Sequence, residues 1–379
     1  MKTARLLPGS RIGILGGGQL GRMLAISARR MGFSTHIFTD VADSPAAQVA
    51  DTVTVAKYDD EAALVAFARQ VHVVTFEFEN IPFATATRLE KEVLVRPSAH
   101  VLHTAQHRGR EKAFLAENGF PVVPHASVRG VKDVDAALAV TGLPAVLKTA
   151  GFGYDGKGQS KVHSREQLAD KVVSGGDWIL EQWQEFDKEV SVLVARTVDG
   201  KMLDWGVVEN RHRDHILDVS VVPADVEQET EIQAVAVAHA IAEKIGLVGL
   251  LCVEFFVGKD GNVRVNEMAP RPHNSGHWTI EGALTSQFEQ QIRAVTGGTL
   301  GSTLILAPTA MANVLGDVWS QGEPHWAEVL DDPFVKWHTY GKSEPRKGRK
   351  MGHLTSVGAT PNQAVERVLG ARTRLQSRG

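Results

Sequence analysis

From Leu250 to Pro272 the chain reads LLCVEFFVGKDGNVRVNEMAPRP, two apolar, β-prone runs on either side of Asp260-Gly261. That dipeptide is a two-residue hairpin signal, for a turn that takes positive φ at both positions. No other stretch limits the fold so tightly, because an antiparallel pair fixes which residue faces which. If Lys259 opposes Asn262, counting outward sets Glu254 against Glu267 on one face, with Cβ atoms ~5 Å apart. Val253, Phe255, Val265 and Met268, their neighbours, would exclude water. Two carboxylates so placed repel, and a shared proton or a bound cation has to compensate. Asn266 adds a neutral oxygen beside the second acid, and all-oxygen ligation next to phosphates is the pattern of Mg²⁺. The competing arrangements are a one-residue slip that sends one acid to solvent, or an acid held by Arg264.

Two glycine motifs raise the question of a nucleotide. In LKTAGFGYDGKGQS, Leu147 to Ser160, the residues Gly151, Gly156 and Lys157 fall at the spacing of a phosphate-binding P-loop. A P-loop continues with Ser or Thr to hold Mg²⁺, and here Gly158 follows. The next residues read as a short strand, an N-cap at Ser164 and only then a helix. A P-loop opens directly onto a helix, whose first amides bind the phosphate. The pattern matches and the context does not. Gly16, Gly18 and Gly21 satisfy G-x-G-x-x-G after a strand and before a helix, with Asp40 where a dinucleotide fold places its ribose-binding acid. This supports a dinucleotide oxidoreductase, although any tight strand-to-helix turn favours glycine.

Over residues 1–107, strand and helix patterns alternate (RIGILG, GGQLGRMLAISARRMGF, STHIFTD, DDEAALVAFARQ, VHVVTFEFEN), which predicts a parallel α/β sheet covered on both faces. Residues 108–190 predict a small α+β unit, and 191–379 a strand-rich unit containing the helical TSQFEQQIRAVTGG and a basic segment, GKSEPRKGRKMGH. With 379 residues and a net charge of −3, the chain has room for two or three domains. That balance gives no global reason to bind nucleic acid or anionic lipid. Apolar runs such as VGLLCV fall far short of the ~20 residues needed to cross a bilayer. No secretory h-region precedes the first strand, and a single cysteine, Cys252, excludes an internal disulfide. A cytoplasmic location is expected.

A strand ending in Lys148, a glycine loop, the strand WILEQW and the dicarboxylate hairpin occur in the order of the ATP-grasp superfamily, whose members clamp ATP between two α+β units. Together, GGGQLGRM, TFEFEN, GYDGKGQ, NEMAPRPHNSGHW and GRKMGH resemble the N5-carboxyaminoimidazole ribonucleotide synthetase family of purine biosynthesis. These motifs run from residue 16 to 353. The resemblance implies an ATP-grasp fold with an amino-terminal parallel α/β (Rossmann-like) domain, a small lid domain and a mixed-sheet carboxy-terminal domain. It implies a carbon–nitrogen ligase using ATP and Mg²⁺. Bicarbonate is phosphorylated to carboxyphosphate, and the exocyclic amine of 5-aminoimidazole ribonucleotide then takes the carboxyl group. A homodimer is the state the family suggests.

The resemblance also assigns residues. Lys148 would meet the α- and β-phosphates as a point charge. The loop Gly151–Gly158, with Gly153, Tyr154, Asp155, Gly156, Lys157 and then Gln159, would close over ATP as a lid. Tyr154 and Asp155 would also lie near the ribonucleotide, with Asp155, like Lys148 and Arg271, counted among the catalytic groups. Glu181, Gln182, Trp183 and Gln184 correspond to the adenine-reading hinge, through Glu181 and adjacent backbone groups. Glu189 corresponds to the ribose acceptor, and Arg108, His212, Asn266 and Glu267 to further ATP positions. Glu254 and Glu267 are the metal pair. Arg271 would stabilise carboxyphosphate and the charge that develops in the transition state. His273, Asn274 and Ser275 would line the reacting centre. Gly18, Gln19 and Leu20 of the first turn, with Glu77 and Asn80, would face the ribonucleotide, and Lys342, Arg349 and Lys350 its 5′-phosphate.

Three departures stand out. His107 occupies a position where the family often has an acid, His215 replaces a usual glycine, and SEPRKGRK differs in length and order from some relatives. The nearest rival is a formate-dependent glycinamide ribonucleotide transformylase. An oxidoreductase leaves the dicarboxylate hairpin unexplained, and a non-catalytic regulator would not need both acids.

Overall fold

A computed structural model describes residues 5–151, 158–172 and 175–376. Short apolar segments rich in β-branched residues build three sheets. The first is parallel throughout, with spatial order Thr52–Val55, Ser34–Thr39, Arg11–Leu15, Val73–Phe76 and Leu94–Val95. Ile12, Ile14 and Val73 pack against Leu24 and Ala28 of the helix Gln19–Arg30, and Phe38 and Phe76 against Leu64 and Phe67 on the other side. The edge strand Thr52–Val55 was missing from the sequence reading. It is only four residues long and half exposed, so it carries little apolar signal.

The second sheet is antiparallel, in the order His125–Val128, Trp178–Gln182, Ala145–Thr149, Gln159–Val162. Lys148 lies at the end of its strand, and Ser164 caps the helix Arg165–Lys171 by accepting the Gln167 amide. The third sheet runs Val263–Ala269, Gly249–Val257, Lys188–Arg196, Met202–Arg213, Ile216–Val222, Thr309–Leu315, Lys350–Val357, Val335–Thr339. It is antiparallel at each of these pairings, not mixed as expected. The helix Gln228–Lys244 covers one face through Ala234, Ala238 and Ile241. The helix Gln287–Val295 joins this sheet to the first by packing Phe288 and Ile292 into the Leu24 cluster. No helix among the described residues is long and apolar enough to cross a membrane.

At the hairpin, Glu254 does pair with Glu267, but by another route than the turn signal implied. Val257 pairs with Val263, so the loop is five residues long, Gly258 to Asn262, and Gly261 has positive φ while Asp260 does not. The register beside the loop would set Glu254 against Asn266. A bulge between Phe255 and Glu254 inserts Asn266 as an extra residue and restores the carboxylate pair. The expected water-excluding neighbours also need correction. Val253, Phe255, Val265 and Met268 belong to the core beneath the strands, whereas both acids line a cavity on the other face.

His107 does what an acid would do at its position: its Nδ1 accepts the Arg110 amide and caps the helix Arg108–Glu117. Its Nε2 lies 2.8 Å from Asp177 Oδ2. His215 follows Asp214 in a two-residue turn between the strands Met202–Arg213 and Ile216–Val222, with φ of 65° and 50° respectively. Both angles lie in the left-handed region that favours glycine. His215→Gly is expected to raise the denaturant midpoint by the equivalent of ~0.5–1 kcal/mol; an unchanged or lower midpoint would show that the imidazole's contacts outweigh its strain.

Candidate active site

Two cavities meet at the hairpin. One, of about 300 Å³, lies between the carboxyl edge of the parallel sheet and the strand Val263–Ala269; Gly18, Gln19, Leu20, Glu77, Asn80 and Arg271 line it. The other, of about 480 Å³, lies between the two antiparallel sheets. Lys148, Gln159, Glu181, Gln182, Trp183, Gln184, Glu189, His212, Glu254 and Asn266 line it. Arg108, Glu267, His273, Asn274 and Lys350 belong to both walls. Gly153, Tyr154, Asp155, Gly156 and Lys157 lie outside the described residues. Gly158 has positive φ, and its carbonyl accepts the Thr149 amide.

Burial, and then the charge of Glu267 across the strand pair, push the Glu254 carboxyl up to about 8. Its Oε1 is 3.1 Å from His273 Nε2. Burial and the Arg271 charge hold that imidazole well below its usual range, so it is neutral. The Ser275 amide donates to Nδ1, which leaves Nε2 protonated and pointing at Glu254. Two carboxylates on one face, one of them reluctant to ionise without a cation, form a donor set that suits Mg²⁺.

Around them the charges are paired. Lys148 Nζ donates to Glu181 Oε2 at 2.7 Å, and Lys112 Nζ is 3.8 Å from Oε1 of the same group. Burial works against the Glu181 anion, but the two ammonium groups outweigh it and hold the carboxyl down at about 2. The acid expected to read adenine thus also braces the phosphate lysine. The Gln182 and Trp183 amides are already given to the carbonyls of Pro124 and Pro144. Lys161 stands 3.5 Å over the Trp183 ring. His212 Nδ1 sits 2.7 Å from Glu189 Oε2; burial lowers the imidazole pKa, yet the bond and charge of Glu189 bring it above its usual value. Arg108 donates to the Thr149 carbonyl and lies 3.9 Å from Glu267.

In the smaller cavity the Arg271 guanidinium is gripped by both oxygens of Glu79, with Nη2 2.8 Å from Oε1, and Nη1 donates to the Pro272 carbonyl. Glu77 accepts the amides of Gly18 and Gly21 (2.7 Å for the latter). A protein carboxylate therefore occupies the helix start where a dinucleotide's pyrophosphate would sit, which removes the physical basis of the oxidoreductase reading. Ser275 lines neither cavity; it is fully buried, bonded to Ser191 Oγ and His273 Nδ1 at 2.9 Å each. Lys342 and Arg349 also line neither cavity: Lys342 Nζ donates to the Lys350 carbonyl and Arg349 Nη1 to that of Glu344. Lys350 alone of the basic cluster reaches the shared wall.

The sequence reading missed Glu79, Glu111 and Lys112. Glu79 alternates with Glu77 along TFEFEN, and Glu111 and Lys112 fall three and four residues after Arg108 on one helix, so periodicity could have flagged them.

A pH dependence follows from the buried acids. Burial pushes Glu111 up to about 8, as it does Glu254, whereas both ionise near 4.5 when unfolded. Between those values the folded state binds more protons, so stability is lost as pH rises toward 8. His273, His277 and His353, buried and held low, act oppositely below about 6.5, the ordinary histidine value, and Lys112, also lowered by burial, opposes at higher pH as one group against two. The melting temperature of the ligand-free protein is therefore expected to fall between pH 7 and 8 in calorimetry, and a flat or rising profile would contradict this.

Residues 10–106 match the ribonucleotide synthetase preATP-grasp domain, 113–288 the ATP-grasp domain, and 309–367 the phosphoribosylaminoimidazole carboxylase C-terminal domain. A curated N5-carboxyaminoimidazole ribonucleotide synthase from Bacillus subtilis is 41% identical over 97% of this chain and 97% of its own. The chain belongs to the N5-carboxyaminoimidazole ribonucleotide synthase family. A bifunctional purine synthesis protein of Dictyostelium discoideum is 44% identical over 92% of this chain, which spans only 37% of that longer protein. Among solved structures of N5-carboxyaminoimidazole synthases, that from Aspergillus clavatus, in complex with ADP and 5-aminoimidazole ribonucleotide, has a TM-score of 0.88 at 27% identity, covering 97% of this chain and all of that one. The carboxylase-type carboxy-terminal domain disfavours the transformylase alternative.

Proposed function

We propose that this chain carboxylates the amine of 5-aminoimidazole ribonucleotide with bicarbonate at the expense of ATP, giving N5-carboxyaminoimidazole ribonucleotide, ADP and phosphate. The observation that carries the reading is the wall shared by the two cavities, where Glu267, Arg108, His273 and Lys350 face both. ATP fits the larger cavity, with its triphosphate toward Lys148 and Arg108 and its base toward Gln182 to Gln184. Glu189 and His212 suit the ribose. Glu254 and Glu267 would hold Mg²⁺, which supplies charge neutralisation on the β- and γ-phosphates. The ribonucleotide fits the smaller cavity, beside Gln19, Asn80 and Arg271.

A bicarbonate oxygen attacks the γ-phosphorus as the bond to ADP breaks. The amine nitrogen then attacks the carboxyl carbon, phosphate leaves and the amine proton is released. Arg271, preset by Glu79, is the donor aimed at the oxygens that gain charge. The reading includes three units, residues 1–107, 108–190 and 191–379, with Tyr154 and Asp155 of the lid near the ribonucleotide. It also includes a cytoplasmic location and a homodimer, the latter tested by sedimentation of the purified chain.

The deciding assay is phosphate release from ATP with and without the aminoimidazole ribonucleotide and bicarbonate. Release that depends on both supports the reading, and release indifferent to either substrate overturns it.

A further inference from the structure

Lys112 lines neither cavity, and its side chain is only 1% exposed. An ammonium so deeply buried is costly unless its protons are all placed. Nζ donates to the Asn266 carbonyl at 2.7 Å and to the Val265 carbonyl at 3.2 Å, the two residues at the hairpin bulge. The adjacent Glu111 accepts the Met268 amide. Consecutive side chains of the helix Arg108–Glu117 therefore hold the strand Val263–Ala269 on both sides of Glu267. Without the bulge the register beside the loop continues, Asn266 falls opposite Glu254 and Glu267 turns to the other face. Nζ also forms an ion pair with Glu181, at 3.8 Å from Oε1 and too long for a hydrogen bond, and Glu181 in turn accepts from Lys148.

We propose that Lys112, aided by Glu111, is a positioning residue that fixes the bulge at Asn266 and so keeps Glu267 in cation-binding register with Glu254, linking that register through Glu181 to Lys148. This rests on the reading of Glu254 and Glu267 as a divalent-cation site. An apolar side chain at 112 would leave two buried carbonyls without donors, and the strand would relax to satisfy them.

The test is Mn²⁺ binding to the full chain with ADP, read by electron paramagnetic resonance, so that turnover is not the readout. Lys112→Met is expected to weaken Mn²⁺ binding about 10- to 100-fold, the usual effect of losing a group that orients metal ligands. Lys112→Gln, which keeps an N–H donor, is expected to recover part of that loss, which general destabilisation would not produce. Glu111→Ala removes the other half of the grip and decides the matter should Lys112→Met not fold. Wild-type Mn²⁺ affinity in either variant, alongside a loss in Glu267→Gln, overturns the positioning role alone. Unchanged affinity in Glu267→Gln overturns the cation site and this proposal with it.

Discussion

Glu267→Gln is expected to lower kcat about 10³-fold or more while the variant still folds and melts cooperatively. The loss corresponds to ~4 kcal/mol of barrier, the scale of the charge stabilisation a bound divalent ion gives a transferring phosphoryl group. The amide keeps the shape and one oxygen but removes an anion from the pair. With the like charge gone, the largest remaining cause of the high Glu254 pKa is burial, so that value should fall. Steady-state kinetics across Mg²⁺ concentrations, beside a thermal melt, make the measurement. Near-normal turnover in a folded variant would remove the metal assignment.

Arg271→Lys should lower kcat by about 10²-fold, the usual cost of losing one preorganised donor from a charge-stabilising site. The change keeps the positive charge, so an effect of charge alone would leave activity largely intact. What it removes is the planar fork that Glu79 grips with both oxygens. Because Arg271 lines only the smaller cavity, the KM for ATP should stay within about threefold of wild type. Glu79→Gln loosens the same fork from the other side, so the two substitutions together should cost less than the sum of their separate effects. Additive losses, or a KM for ATP that rises with the fall in kcat, would move Arg271 out of the proposed role.

Local signals in the sequence carried much of this molecule. Alternating strand and helix patterns gave the parallel sheet, and Ser164, an N-cap that comes only after a further strand, gave a helix start that excluded a P-loop. The carboxylate pair was legible too, but only because two features offset each other. The loop holds five residues where two were expected, and the bulge at Asn266 restores the count. A bulge has no signature of its own in composition; here it depends on an ammonium 154 residues away. The grip of Glu79 on Arg271 spans 192 residues and was invisible for the same reason. The resemblance placed Ser275 at the reacting centre, whereas its hydroxyl belongs to a buried polar chain with Ser191 and Asn210. Lys342 lies against Lys350, its Nζ on the Lys350 carbonyl, while Arg349 donates to the Glu344 carbonyl; of the three, Lys350 lines the cavities.

The carboxylate of Glu77 at the first helix start changes what a glycine fingerprint means. A Cβ on Gly16 or Gly18 would come within 2.4 or 2.6 Å of Glu77, and one on Gly17 within 2.5 Å of Ser44. Gly16 and Gly18 therefore admit a resident acid from a neighbouring strand, with no cofactor required to explain them. An added pyridine dinucleotide would find the berth already taken. In any chain of unknown role that shows this triplet, an acid at the end of the fourth strand should be looked for before a redox coenzyme is assigned.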